Sequence, residues 1–301
     1  AWDGMSLGQS GGSSPPFNNP TNNWSVDHNV IYDVNDDAIE ADGWHSYLTI
    51  SNNIIGGTNA DVRMGVSLAP CGPGPVYVKD NYISGFSESA VKFNTDVNQA
   101  YCKNALIKNN TIVQTGDGIN WPTETVSVIY IPNPVTLVEN ASYINNIIYS
   151  VGTFYITEQM NFTDRFYFDY NTLWSTKEKC LWGGSGATCV LFRPQFIWNG
   201  SSTMMYSIEE LRDAAGWEIH GQYLNFSVQP VQVGNIPIEK LAKWRVFDSS
   251  GNPLTGAAIT GSVINENNFT NGTSLVLLVI IVIIIIVGGF EIIRRRARNR
   301  G

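Results

Sequence analysis

The chain has 301 residues, of which 43% are hydrophobic and only 15% charged, and its formal net charge is −8 at pH 7. That length suits one large all-β domain or two smaller ones. Five of the 18 basic residues but only one of the 26 acidic residues follow Thr273, so the preceding part carries 13 basic against 25 acidic groups, a balance near −12. Such a surface excludes nucleic acid as an expected partner and favours cations, neutral sugars or basic surfaces.

A short phrase recurs six times along the chain, first as "NVIYDV" at 29–34: an asparagine, a hydrophobic pair, then small or turn-forming residues. Its asparagines are Asn29, Asn53, Asn81, Asn110, Asn146 and Asn171, at intervals of 24, 28, 29, 36 and 25 residues. Apolar residues alternate around each landmark, which predicts strands, and repetition at this period predicts a solenoid. Because asparagine tolerates the left-handed conformation, we expect it to make the bend itself, and its stacked amides should form a ladder.

A second strand recurs between the landmarks, as "AIEA" at 38–41, "GVSLA" at 65–69, "AVKFN" at 90–94, "GINW" at 118–121 and "TFYIT" at 153–157. Several short strands per repeat, joined by Gly, Asn and Asp bends, predict a parallel β-helix. A β-sandwich is the alternative fold, but it would leave the repeated asparagine unexplained.

Residues 20–230 also resemble a known group of proteins. The stretches "DVNDDAIEADG", "LTISNNII", "GPGPVYVKDNYISG" and "SAVKFN" are similar to the right-handed parallel β-helix proteins of the pectate-lyase-like superfamily. The resemblance implies an all-β, right-handed parallel β-helix. It does not imply one activity, because that group includes lyases, hydrolases, epimerases and adhesins.

A polar strip is the candidate site. Alternation on the second strand turns Glu40, Ser67, Lys92 and Asn120 outward, one per repeat, and further polar residues lie around them, namely Asp36, Asp37, Asp42 and Arg63. The catalytic candidates are Asp36, Asp37, Glu40 and Lys92, and the substrate-binding candidates are Asp42, Arg63, Ser67 and Asn120.

Three hypotheses compete for this strip. A lyase or epimerase would hold Ca²⁺ on its acidic residues and use Lys92 or Arg63 as the base. An inverting hydrolase would use two carboxylates as acid and base. In the third, "NDDAIEADG" is a turn–strand–turn without catalytic function, which leaves a structural, adhesive or carbohydrate-binding role. The pattern requires no cofactor, and Ca²⁺ is the ion that the lyase hypothesis would need.

The four cysteines suggest two local disulfides. Cys180 and Cys189 bracket a Gly-rich loop, and Cys71 and Cys102 lie about one repeat apart. A zinc site is the alternative, although no CxxC motif or neighbouring histidine supports it.

The C-terminal part begins with "SIEELRDAAG" at 207–216, where a Ser-x-x-Glu capping box and a final glycine predict a short helix that covers the end of the solenoid. The apolar run 274–293 has the length of a transmembrane helix, and the basic tail 294–301 places the C-terminus in the cytoplasm. We therefore expect a single-pass membrane protein with an extracellular N-terminal portion. N-glycosylation sequons occur at Asn23, Asn109, Asn140, Asn161, Asn199, Asn225, Asn268 and Asn271.

The sequence thus predicts six segments: an N-terminal extension or truncated coil (1–19), the β-helix (20–200), a capping helix and terminal coil (201–230), a membrane-proximal β element and linker (231–273), the transmembrane helix (274–293) and the tail (294–301). The expected protein is a membrane-anchored glycoprotein, archaeal by its sequon density and Ile-rich anchor. Its expected partners are the membrane, N-glycans, and polysaccharide or other surface proteins in an envelope assembly. A surface-tethered lyase, epimerase or hydrolase for uronate-rich polymers is the alternative.

Overall fold

The computed structural model describes residues 3–7, 21–43, 45–56, 62–68, 71–93, 101–114, 127–131, 137–150, 153–157, 166–174, 192–194, 207–238 and 241–254. The chain divides into two compact units, residues 1–259 and 260–301, and every described residue lies in the first. The apolar run 274–293, the tail 294–301, and both Cys180 and Cys189 lie outside the described residues.

Three parallel sheets are built by the repeat, because the chain adds one strand to each sheet in turn. The first sheet contains β1 (Met5–Ser6), β4 (Asp37–Glu40), β7 (Val62–Ser67), β10 (Phe86–Lys92), β14 (Ser127–Ile131), β18 (Thr153–Thr157) and β21 (Phe192–Pro194). The second contains β2 (Thr21–Asp27), β5 (His45–Ser51), β8 (Val76–Lys79), β12 (Ala105–Lys108), β16 (Ala141–Ile144) and β19 (Phe166–Asp169). The third contains β3 (Val30–Ile31), β6 (Ile54–Gly56), β9 (Tyr82–Ser84), β13 (Thr111–Val113), β17 (Ile147–Tyr149), β20 (Thr172–Trp174) and β22 (Gln222–Tyr223). This arrangement confirms the predicted all-β parallel solenoid.

The core lies between the three sheets and follows the predicted alternation. The residues three before each landmark are at most 4% exposed, namely Val26, Ile50, Val78, Ile107, Tyr143 and Phe168. The residues two after it are also buried, namely Ile31, Ile55, Ile83, Ile112, Ile148 and Leu173. Trp24, five before the first landmark, departs from its row and is 42% exposed, because β2 is the edge strand of the second sheet.

The bends are made by the residue before each landmark asparagine, and not by the asparagine as we expected. These preceding residues have φ between 55° and 59°, namely His28, Asn52, Asp80, Asn109, Asn145 and Tyr170. Only one residue per bend needs the left-handed conformation, and Asn and Asp enter it at low cost. The landmark asparagines are therefore free of that requirement and keep their side chains directed into the solenoid.

The predicted ladder is formed by the side-chain amides of the landmark asparagines. From Asn29 to Asn146, the backbone N and the Nδ2 of each donate to the Oδ1 of the next, at 2.9–3.0 Å. From Asn53 onward, Nδ2 also donates backward to a carbonyl of the preceding repeat, at 2.9–3.1 Å. Since these five asparagines are at most 1% exposed, the ladder satisfies polar groups that water does not reach.

The ladder ends on Glu218, which the sequence did not indicate. Asn171 donates its backbone N to Oε2 at 3.2 Å and its Nδ2 to Oε1 at 2.7 Å. Glu218 is 0% exposed, and Arg212 holds its loop by donating Nε to the Glu218 carbonyl and Nη2 to the Gly221 carbonyl. Gly221 is required here, because a Cβ would lie 2.2 Å from Glu218 Oε2.

Helix α1 (Ile208–Ala215) closes this end as predicted. Ser207 accepts a hydrogen bond from the backbone N of Glu210, and Gly216 ends the helix in the left-handed conformation. The helix buries Ile208, Leu211 and Ala215 in the solenoid core. Trp217 follows, 1% exposed, with its ring centroid 4.4 Å from that of Phe168.

A three-stranded antiparallel sheet follows the cap, formed by β23 (Phe226–Gln232), β24 (Ala242–Asp248) and β25 (Pro253–Leu254). Its Val246 packs on Ile147 of the third sheet, together with Val228, Tyr149 and Trp174. The β element expected within 231–273 thus begins earlier, at Phe226, and packs on the solenoid.

One of the two predicted disulfides lies in the described residues. Cys71 is bonded to Cys102 across a sequence separation of 31. It lies beside a two-stranded parallel sheet of β11 (Tyr101–Lys103) and β15 (Leu137–Glu139). The zinc alternative is therefore wrong for Cys71 and Cys102.

Candidate functional site

A row of polar residues crosses the first sheet at one register position. Backbone pairing aligns Ser6, Glu40, Ser67 and Lys92 on β1, β4, β7 and β10. The alternate residues Ile39, Val66 and Val91 are 0% exposed, as predicted. The next residue in register is Tyr130 on β14 and not Asn120, which lies outside the described residues. The strand expected at 118–121 is thus replaced in this register by Ser127–Ile131, because the connection after Val113 is longer than the repeat predicted.

Ser67 is not exposed on this row. It is 1% exposed, and its Oγ donates to Asp42 Oδ1 at 2.9 Å. The two residues predicted to bind substrate together are therefore bonded to each other.

Arg63 lies between two carboxylates. Its Nε donates to Glu88 Oε2 at 2.6 Å, and its Nη1 lies 3.5 Å from Asp36 Oδ1. A guanidinium keeps its proton at any physiological pH, and here it is also neutralised by partners. Arg63 is thus unsuited to act as a base, and Asp36 belongs to this ion pair.

Glu88 was missed at the sequence stage of reasoning because a bulge places it. The pairing of β10 with β7 shifts by one residue between Phe86 and Ser89, which brings Glu88, 5% exposed, to Arg63. A strand with one extra residue carries no signal in a pattern of period two.

Asp37 and Glu40 lie together with a third carboxylate, that of Asp3. One carboxylate oxygen from each of the three lies within 4.8 Å of the other two. Ser6 Oγ donates to Glu40 Oε2 at 2.5 Å. Asp37 is 8% exposed, and its Oδ1 has no hydrogen-bond partner among the described residues. We call Asp3, Asp37 and Glu40 the carboxylate triad.

Burial and like charges shape the acidity of the triad. Burial raises the pKa of Asp37 to about 6, and the nearby charge of Lys92 only partly offsets it. Burial also raises the pKa of Asp3, with further contributions from the charges of Glu40 and Asp36. The triad therefore holds more negative charge than its surroundings compensate.

A second polar cluster joins the cap to the second sheet, and sequence reasoning had assigned no role to its members. Asp169, 1% exposed, accepts from Tyr167 Oη at 2.7 Å, from the backbone N of Tyr170 at 2.9 Å and from the backbone N of His220 at 2.7 Å. Its Oδ2 lies 2.8 Å from His220 Nδ1, and the His220 ring stacks on Tyr170. The hydrogen bonds to one buried carboxylate make this cluster a clamp between the cap and β19.

We expect Asp169→Asn to destabilise the protein by roughly 1–3 kcal/mol at pH 7, since hydrogen bonds to a charged acceptor are the stronger kind. Burial alone would raise the pKa of Asp169, but the hydrogen bonds from His220 and Tyr167 lower it below its usual value. Stability from a lowered carboxyl pKa is present above that usual value and is lost as the pH falls through the folded one. Unfolding midpoints measured from pH 7 to pH 2 should therefore converge for the two proteins, whereas the surface variant Asp213→Asn should follow the wild type throughout.

The described sequons differ in how their amides are used. Asn23, Asn140 and Asn225 are exposed, and Asn109 is half-buried. Asn140 donates to Asn104 Oδ1 at 2.8 Å and Asn109 to Asp80 Oδ1 at 3.2 Å. The other four, Asn161, Asn199, Asn268 and Asn271, lie outside the described residues.

Comparison with known proteins finds no matching family model, curated protein or solved structure. Among the residues that the structure describes, no helix is long and apolar enough to cross a membrane.

Proposed function

We propose that this chain is a glycosylated surface protein, a right-handed β-helix of the pectate-lyase-like superfamily. Residues 274–293 anchor it in a membrane, with the solenoid outside the cell and the tail in the cytoplasm. Its role is structural, adhesive or carbohydrate-binding, within a larger envelope assembly. Sequon density and the Ile-rich anchor favour an archaeal cell surface.

One observation carries the choice of a non-catalytic role: the polar row is engaged in internal contacts. Arg63 is paired with Glu88 and Asp36, and Ser67 is buried against Asp42. A general base must reach the proton that it abstracts. Groups that are paired and buried support a rigid surface rather than proton transfer.

A surface-tethered lyase, epimerase or hydrolase for uronate-rich polymers is the second candidate, and Lys92 favours it. Lys92 is half-buried, and its charge reaches Asp37. A lysine beside acidic groups is the arrangement that α-proton abstraction next to a bound carboxylate would use.

The two candidates differ in what a panel of uronate polymers does with the full chain. We expect no unsaturated product and no new reducing ends, with or without Ca²⁺, and retention of an acidic polymer that Lys92→Ala weakens. Lys79→Ala, a half-buried lysine on the second sheet, is the matched control and should leave retention unchanged. Ultraviolet absorbance, a reducing-sugar assay and affinity electrophoresis measure the three outcomes. Product that Lys92→Ala abolishes would replace the binding role with the enzymatic one.

A further inference from the structure

We infer that Asp3, Asp37 and Glu40 form a binding site for one divalent cation, best suited to Ca²⁺, that ties β1 to β4 at the first edge of the solenoid. The site needs no substrate, and it does not depend on the proposed surface role.

The first support is the distance between the oxygens. Calcium takes oxygen ligands at 2.3–2.6 Å, so two oxygens on opposite sides of the ion are about 4.6–5.2 Å apart. The three carboxylate oxygens of the triad all lie within 4.8 Å of one another. They therefore fit around one calcium ion, whereas opposite ligands of Mg²⁺ are only about 4.0–4.2 Å apart.

The second support is independent of the distances, and it is the state of Asp37. Its side chain is more than nine-tenths buried, and its Oδ1 has no hydrogen-bond partner among the described residues. A buried carboxylate oxygen without a partner is costly, and ordinary proteins avoid it unless an ion or water fills the place. The same carboxylate contributes an oxygen to the triad, so the unsatisfied group and the candidate ligands coincide.

The charges around the triad leave room for a cation. Asp36 has Arg63 as its ion-pair partner, at 3.5 Å. The carboxyl groups of Asp3 and Glu40 are within hydrogen-bonding distance of each other, an arrangement that requires a shared proton when no cation is present. A bound Ca²⁺ would replace that proton and neutralise the buried charge of Asp37.

The position of the triad assigns the ion a structural task. Asp3 precedes β1, a strand of two residues that is paired with β4 at Met5↔Ile39 and Ser6↔Glu40. Asp37 and Glu40 are the first and last residues of β4. A cation held by all three would fasten this short edge strand, which so few backbone hydrogen bonds hold weakly.

The test is a calcium titration of the full chain in detergent micelles, after dialysis against EDTA. CaCl₂ and MgCl₂ are compared at constant ionic strength, with calorimetric stoichiometry and the thermal unfolding midpoint as readouts. We expect one saturable Ca²⁺ per chain that depends on the triad, a raised midpoint, and weaker binding of Mg²⁺. Asp37→Asn and Glu40→Gln should each lower the affinity tenfold or more, since even groups that only support a ligand have about that effect. Asp213→Asn removes one exposed negative charge from α1 and should bind as the wild type does.

A signature in EDTA separates a ligand from a merely structural residue. Without metal, Asp37→Asn should unfold at a higher temperature than the wild type, because it removes an uncompensated buried charge, yet it should gain nothing from Ca²⁺. Absence of saturable Ca²⁺ binding would overturn the inference. So would an affinity that neither Asp37→Asn nor Glu40→Gln changes, since the ion would then lie elsewhere on this acidic chain.

Discussion

Replacing Glu218 with alanine should lower the free energy of unfolding by roughly 3–5 kcal/mol. The substitution leaves both N–H groups of Asn171 that Glu218 accepts without a partner, at a buried position. Each buried donor left unsatisfied costs about 1–3 kcal/mol, and hydrogen bonds to a charged acceptor lie at the upper end. Urea unfolding followed by circular dichroism measures the difference.

Two further variants isolate the role of the carboxylate. Glu218→Gln keeps the shape and one acceptor, so we expect a smaller loss of about 1–2 kcal/mol. Glu209→Gln removes an exposed carboxylate from α1 that lies 3.7 Å from Arg212, and exposed pairs contribute about 0–1 kcal/mol. If Glu218→Ala and Glu209→Gln unfold at the same urea concentration, Glu218 does not terminate the ladder energetically.

The second large effect is expected in the middle of the ladder, where Asn81→Ala should also cost roughly 3–5 kcal/mol. Asn81 Oδ1 accepts the backbone N and the Nδ2 of Asn53, and its own Nδ2 donates to the Ile50 carbonyl and to Asn110 Oδ1. Alanine leaves these partners unsatisfied where Asn81 is 0% exposed, and it adds a small cavity. Chemical denaturation gives the magnitude.

The matched control is the neighbouring Asn52, replaced by glycine. Asn52 is exposed and has φ of 55°, a conformation that glycine enters without strain, and its side chain bonds only at the surface. We expect a change within about 1 kcal/mol. Equal effects of the two substitutions would mean that burial in the ladder contributes nothing.

Much of the fold follows from the sequence, because the repeat states one physical rule many times. Each winding must bury the same positions and satisfy the same buried amide, so six imperfect copies predict both the inward rows and the ladder. The cap is predictable for a local reason, since Ser207 and Gly216 carry the start and stop signals of α1 in their own side chains.

The parts that escaped prediction depend on register between windings. The left-handed residue lies one position before each asparagine, and both positions are often occupied by Asn or Asp, so composition does not separate them. Tyr130 takes the register position expected for Asn120 because the repeat lengthens there, and the bulge at Glu88 adds a residue invisible to a period of two.

The candidate site was predicted by half. Asp37 and Glu40 share one strand, so alternation groups them at once. Asp3 joins them only because β1 pairs with β4 across 34 residues, and a strand of two residues has no periodicity to detect. Glu218 joins the ladder from the cap for the same reason, as a residue outside the repeat.

The asparagine ladder has a direction, and that direction gives the solenoid an electrical axis. Every landmark amide points its donors toward the cap and its Oδ1 away from it, so the amide dipoles add head to tail as peptide dipoles do in a helix. The positive end of this array meets the carboxylate of Glu218, as an acidic side chain meets the first turn of a helix. The charge at position 218 therefore acts on the whole row of aligned dipoles, and not on Asn171 alone.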